Sequence, residues 1–94
     1  MQNQQHNKII RVDGSEQPIE GRPSIAGISK LIGADVLGTV NLRDGRVMLL
    51  DDNGVANGRT PNPAATVLYH GVCIPGTTHK IHGDVAIVLD ADFA

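Results

Sequence analysis

Aromatic side chains are nearly missing from this chain, which has one Tyr, one Phe and no Trp in 94 residues. Large rings supply much of the apolar area of small cores, so the core here must be built from Ile, Val and Leu. A domain of this length buries only about 60–65% of the surface its unfolded chain exposes. Self-association is one remedy for a thin core, and a homo-oligomer is expected. The same shortage removes the platforms on which single-stranded bases stack. Basic runs are missing too, because eight Lys and Arg are interspersed with ten Asp and Glu for a net charge of −2. Phosphate neutralisation along a nucleic acid needs a denser positive face. Neither DNA nor RNA is an expected partner.

A single cysteine, Cys73, forms no internal disulfide, and a reducing cytosol suits such a chain. Residues 1–7 are polar and lack the apolar segment of a secretory signal. The longest strongly apolar run, 85–89, is far too short to span a bilayer. A cytoplasmic protein with no membrane partner is the expectation. Neither linker nor internal repeat is evident. Residues 1–6 read as a disordered tail and 7–94 as a single compact domain.

Turn and cap signals divide that domain into elements. Residues 8–12 are rich in Ile and Val, Asp13-Gly14 makes a turn, and 18–20 is placed to pair back as a short strand. Ser24 offers an N-cap to a helix whose Ile25, Ile28, Leu31 and Ile32 share one face, and Gly33 ends it. Residues 35–43 and 46–51 form a hairpin about Asp44-Gly45, and Asn53-Gly54 offers a second turn of that kind. Residues 55–60 suit a brief extended segment. Asn62-Pro63 then starts a second helix, with Ala64, Val67 and Leu68 toward the core and Gly71 at its end. Residues 73–83 read as a loop and 84–89 as a final buried strand. The fold class is α+β, a small antiparallel sheet of about five strands with two short helices.

Reactive side chains crowd one stretch: His70, Cys73, His79 and His82, around a Pro-Gly-Thr-Thr turn. Successive N–H groups in such a turn form a concave anion site. Gly76, Thr77, Thr78, His79 and Lys80 are therefore the candidate phosphate binders. Arg59, Thr60 and Asn62, at the start of the second helix, form a second possible clamp. The loop is not a Walker loop, because its glycine-lysine spacing differs. A plain connecting loop whose threonines satisfy local backbone groups accounts for the same residues.

His70-x-x-Cys73 and His79-x-x-His82 also have spacings compatible with two pairs of zinc ligands. The bland alternative makes Cys73 a small buried hydrophobe and places His70 at a helix C-terminus, where a protonatable ring is favoured. Asp51-Asp52 reads as turn polarity, since adjacent residues of an extended chain point to opposite sides. No serine lies in a Gly-x-Ser-x-Gly elbow. Non-enzymatic binding without a cofactor is expected.

At Leu31-Ile32-Gly33, Leu49-Leu50-Asp51-Asp52-Asn53-Gly54, Asn62-Pro63-Ala64-Ala65-Thr66 and Ile81-His82-Gly83-Asp84-Val85, the chain resembles a family of small phage and mobile-element proteins catalogued as a domain of unknown function. The resemblance runs from about residue 8 to 89. In that family a Glu often follows an Asn at the hairpin end, where this chain has Asp51-Asp52. The likeness implies a phage or prophage origin and carries over no catalytic residue. Small phage accessory proteins often counter host defence by occupying a host protein or sequestering a signalling nucleotide. The leading expectation is a counter-defence protein in the cytoplasm of an infected bacterium, sequestering a small phosphorylated or nucleotide signal in an oligomer. Gly76, Thr77, Thr78, Arg59 and Lys80 would hold phosphate, with Asn62 or His79 reading base or sugar. One alternative is a module that blocks a host defence enzyme through an exposed strand edge or aliphatic patch. A second is a small metal-dependent hydrolase built on His70, His79, His82 and an aspartate such as Asp84.

Overall fold

The computed structural model describes residues 7–19, 24–42, 45–72, 76 and 79–89. Five strands, β1 (Lys8–Ile10), β2 (Glu16–Pro18), β3 (Leu37–Asn41), β4 (Arg46–Asp51) and β5 (Val85–Leu89), form one antiparallel sheet in the order β2-β1-β5-β4-β3. Two helices, α1 (Ile25–Ile32) and α2 (Pro63–His70), complete the α+β fold. The last strand in sequence is the central one in space.

That position explains the continuous apolar run in β5, because a strand covered on both faces has no polar side to present. Ala86 and Val88 join Ile9, Val47 and Leu49 under Ile28 and Ile32 of α1. Val85 and Ile87 join Ile10, Met48 and Ile81 under Ala65 of α2. Among the described residues no aromatic ring is fully buried, in keeping with the shortage of rings.

α1 follows its sequence signals closely. Ser24 in extended backbone accepts from the Gly27 N–H, and Gly33 closes the helix with φ 68°. Only Ile28 and Ile32 are buried, whereas Ile25 and Leu31 are exposed. A two-turn helix on a flat sheet meets it along a stripe narrower than its four aliphatic residues, and the i, i+4 pair at its centre takes the contact. α2 is capped by Asn62, with Pro63 at its first position. Ala64 and Leu68 pack against the core as expected, buried Ala65 and half-buried Tyr69 join them, and only Val67 turns away, 71% exposed. Gly71 ends the helix in right-handed backbone rather than a left-handed cap.

Two turns differ from expectation. β2 starts at Glu16 because the turn after β1 closes early, with Arg11 N–H donating to Ser15 O and Gly14 at φ 90°. The strand ends with the pairing Lys8↔Pro18, which leaves Ile19 outside it, and Glu20 lies outside the described residues. Nor does Asn53-Gly54 make a second hairpin. The chain coils through successive turns, with Asn57 N–H donating to Asn53 O and Arg59 N–H to Gly54 O. The hairpin tip at Arg43-Asp44 and the tail 1–6 lie outside the described residues.

Gly54 in this coil touches the strand-like segment opposite. A Cβ there would stand 2.9 Å from His82 O and 3.2 Å from Asp51 O, both backbone atoms with little room to yield. Gly54→Ala is therefore expected to lower stability by about 1–3 kcal/mol, the usual range for overpacking. Thermal unfolding checks this, and an unchanged midpoint would show that the two segments separate easily.

Candidate functional site

One ion pair organises the end of β4. Asp51 is the last residue of the strand, and its side chain is 1% exposed against Arg59, whose Nε donates at 2.7 Å. The Asn53 N–H and Asn57 Nδ2 also donate to the carboxylate, at 3.0 and 3.1 Å. Burial pushes the Asp51 carboxyl up, but these hydrogen bonds and the Arg59 charge outweigh burial and hold its pKa below the usual value. Arg59 Nη2 donates in addition to Gly33 O at the C-terminal end of α1, where carbonyls carry partial negative charge. The pair thus ties α1 to the sheet.

A second clamp fixes the segment after α2. His82 forms an isolated bridge with Pro61, Gly83 N–H donates to Thr60 O, and Asn62 N–H donates to Ile81 O. Thr66 Oγ1 donates to Asn62 O and accepts from Ile81 N–H. Asn62 lies beneath, fully buried. Its Nδ2 donates to Ile10 O and Gly83 O, and its Oδ1 accepts from Ala65 N–H. His82 Nδ1 donates to Arg59 O at 3.0 Å, which leaves Nε2 to accept or carry a proton. His70 Nε2 donates to His79 O at 2.6 Å, holding the end of α2 to the same segment.

Between this segment, β3, β4 and α2 lies a cleft of about 470 Å³. His79, Lys80 and His82 form one wall; Gly38, Leu50, Asp52 and Tyr69 line the remainder. Asp52 leans over the edge strand, its Oδ1 3.0 Å from where a Cβ on Gly38 would stand. The His79 and Lys80 side chains are exposed and make no hydrogen bond or ion pair among the described residues. A separate, more open cavity of about 310 Å³ is bordered by Arg59, Thr60, Asn57, Gly83 and Asp84.

These positions divide the expected ligand site. His79 and Lys80 share the larger cleft, whereas Arg59 and Thr60 border the smaller cavity. Arg59 is already committed to Asp51 and Gly33, and buried Asn62 is committed to three backbone partners. Both serve the fold: Arg59, expected to hold phosphate, spends Nε and Nη2 on internal partners, and Asn62 is too buried to read a base or sugar. Gly76 is exposed with φ 94°, as a turn requires. Thr77, Thr78 and Cys73 lie outside the described residues.

Among the described residues, which do not include Cys73 of the alternative metal set, no three His, Cys, Asp or Glu side chains converge. Asp84 turns to Arg11, 2.8 Å away, and accepts the Val12 N–H. Sequence reasoning missed Asp52 and Tyr69 as cleft residues. Tyr69 was detectable as the chain's one phenol near the end of a helix that also carries His70. Asp51 and Asp52 were correctly placed on opposite sides, but nothing in their spacing revealed the Arg59 partner.

No protein-family model, curated protein or solved structure matches the chain. Among the described residues, no helix is long and apolar enough to cross a membrane.

Proposed function

We propose that the protein is a non-enzymatic binding protein that takes up a small phosphorylated molecule of nucleotide type in the cleft beside His79 and Lys80. The observation that carries this reading is the cleft itself. Its volume of about 470 Å³ falls within the range of small-ligand sites. Two adjacent side chains, His79 and Lys80, border it without partners among the described residues. Lys80 supplies a compact charge for phosphate, His79 supplies a ring N–H donor, and His82 Nε2 supplies an acceptor. Tyr69 and Leu50 offer an apolar flank for a base, and Asp52 accepts from a hydroxyl or amino group. A cleft lined by both Asp52 and Lys80 favours a ligand with a single phosphate end and a polar body. With the resemblance to phage accessory proteins, this supports sequestration of a host defence signal in the bacterial cytoplasm.

Isothermal titration against cyclic nucleotides, nucleoside monophosphates and ADP-ribose derivatives tests the reading. At least one is expected to bind, and Lys80→Ala is expected to weaken it about tenfold or more, the loss of one charge-assisted hydrogen bond. Absence of heat from every compound would leave the reading without support.

A further inference from the structure

The sheet has two edges, and they are built differently. At one end β2 is only three residues long. It contains Pro18, which has no N–H to donate, and Glu16, paired with Lys8 at 3.1 Å. Short length, proline and charge are the devices that blunt an edge against further pairing. At the other end β3, Leu-Gly-Thr-Val-Asn, has five residues with neither proline nor charge. Among the described residues no strand pairs with its outer side.

The register shows which backbone groups face outward. Asp52 N–H donates to Val36 O and Leu42 N–H to Arg46 O, so even-numbered residues along this strand exchange hydrogen bonds with β4. In an antiparallel ladder the alternate residues point the other way. The N–H and C=O groups of Leu37, Thr39 and Asn41 are therefore presented to the open side.

We propose that β3 pairs antiparallel with β3 of a second copy of this chain, about a two-fold axis at Thr39. In this register Thr39 meets its own counterpart and Leu37 meets Asn41. All three positions are odd-numbered, so outward N–H groups find outward C=O groups at each step. A two-fold contact uses the same patch on both copies, and this patch is self-complementary. No like charges meet, and a Thr–Thr cross-strand pair is favourable. The thin aliphatic core gains a longer sheet. Gly38, Thr39 and Val40 also border the larger cleft, so the second copy would wall its open side. The pairing stands independently of any ligand.

Sedimentation equilibrium of the full chain tests it. The wild type is expected to be a dimer at micromolar concentration. Thr39→Lys and Thr39→Glu each place like charges across the axis, and each is expected to weaken the dimer about tenfold. An equimolar mixture of the two variants is expected to restore dimerisation, a recovery that a merely damaged fold would not show. A wild-type monomer at millimolar concentration overturns the proposal, as does a dimer indifferent to both charges. So does a monomer that takes a foreign protein on this edge. Should either variant fail to fold, amide exchange of the wild type decides. Protection of Leu37, Thr39 and Asn41 must rise with protein concentration, and concentration-independent exchange overturns the pairing.

Discussion

Asn62→Ala is expected to lower the unfolding free energy by about 3–5 kcal/mol, the largest effect of any single polar substitution in this chain. The side chain is fully buried and serves three backbone groups from three parts of the fold. Losing the cap on Ala65 N–H costs about 1 kcal/mol. Leaving the Gly83 carbonyl buried without this donor costs about 1–3 kcal/mol, and losing the bond to Ile10 O, which also faces Val85 across the ladder, costs about 1 kcal/mol. For a domain with about 5–15 kcal/mol in total, that is a large share. The thermal midpoint should fall by about 15 °C or more. Asn62→Asp separates the roles, because it keeps the cap acceptor but sets a carboxylate against two carbonyls. It is expected to be as damaging at neutral pH. Urea unfolding of both variants measures this, and a loss below about 1 kcal/mol would show that water replaces the amide at these carbonyls.

The second large effect is tied to pH. Asp51→Asn removes the charge facing Arg59 inside the fold and is expected to cost about 3 kcal/mol at neutral pH, toward the lower end for a broken buried pair because Arg59 is 30% exposed. The folded carboxyl has its pKa held below the unfolded value. The folded state therefore binds its proton less readily than the unfolded chain. Its contribution is fully present above the unfolded pKa of about 4 and is lost as pH falls through the lowered folded value. The gap in stability between wild type and Asp51→Asn should be widest near neutral pH and close progressively in acid. Urea midpoints across that range provide the check. A gap that stayed constant down to strongly acidic pH would mean that the Asp51 charge contributes nothing to folding.

Both substitutions fall on residues whose sequence setting gave only half of their role. Asn62 before Pro63 announced a helix cap, and the cap is there. Its other two bonds, to Ile10 and Gly83, join positions 52 and 21 residues away in the chain. No local pattern encodes such reach, so the residue looked available for a ligand. Arg59 raised the same difficulty. A cation near a helix start suits a phosphate, until the strand end places a buried carboxylate beside it. Among the described residues of the expected site, His79 and Lys80 are exposed and share a cleft with Asp52 and Tyr69, which lie elsewhere in the sequence.

Local chemistry by itself determined the helix starts at Ser24 and Asn62, the left-handed stop at Gly33, the β3–β4 hairpin, the buried last strand and an aliphatic core. Each depends on groups a few residues apart, or on which side-chain types are present at all. Only the tertiary structure decided that β5 runs through the middle of the sheet, that Ala65 rather than Val67 meets it, and that one edge is blunted while no strand among the described residues covers the other. Those outcomes come from non-local strand pairing and from how closely a helix approaches a sheet. Both are set by contacts across the whole fold, and a short stretch of chain does not contain them.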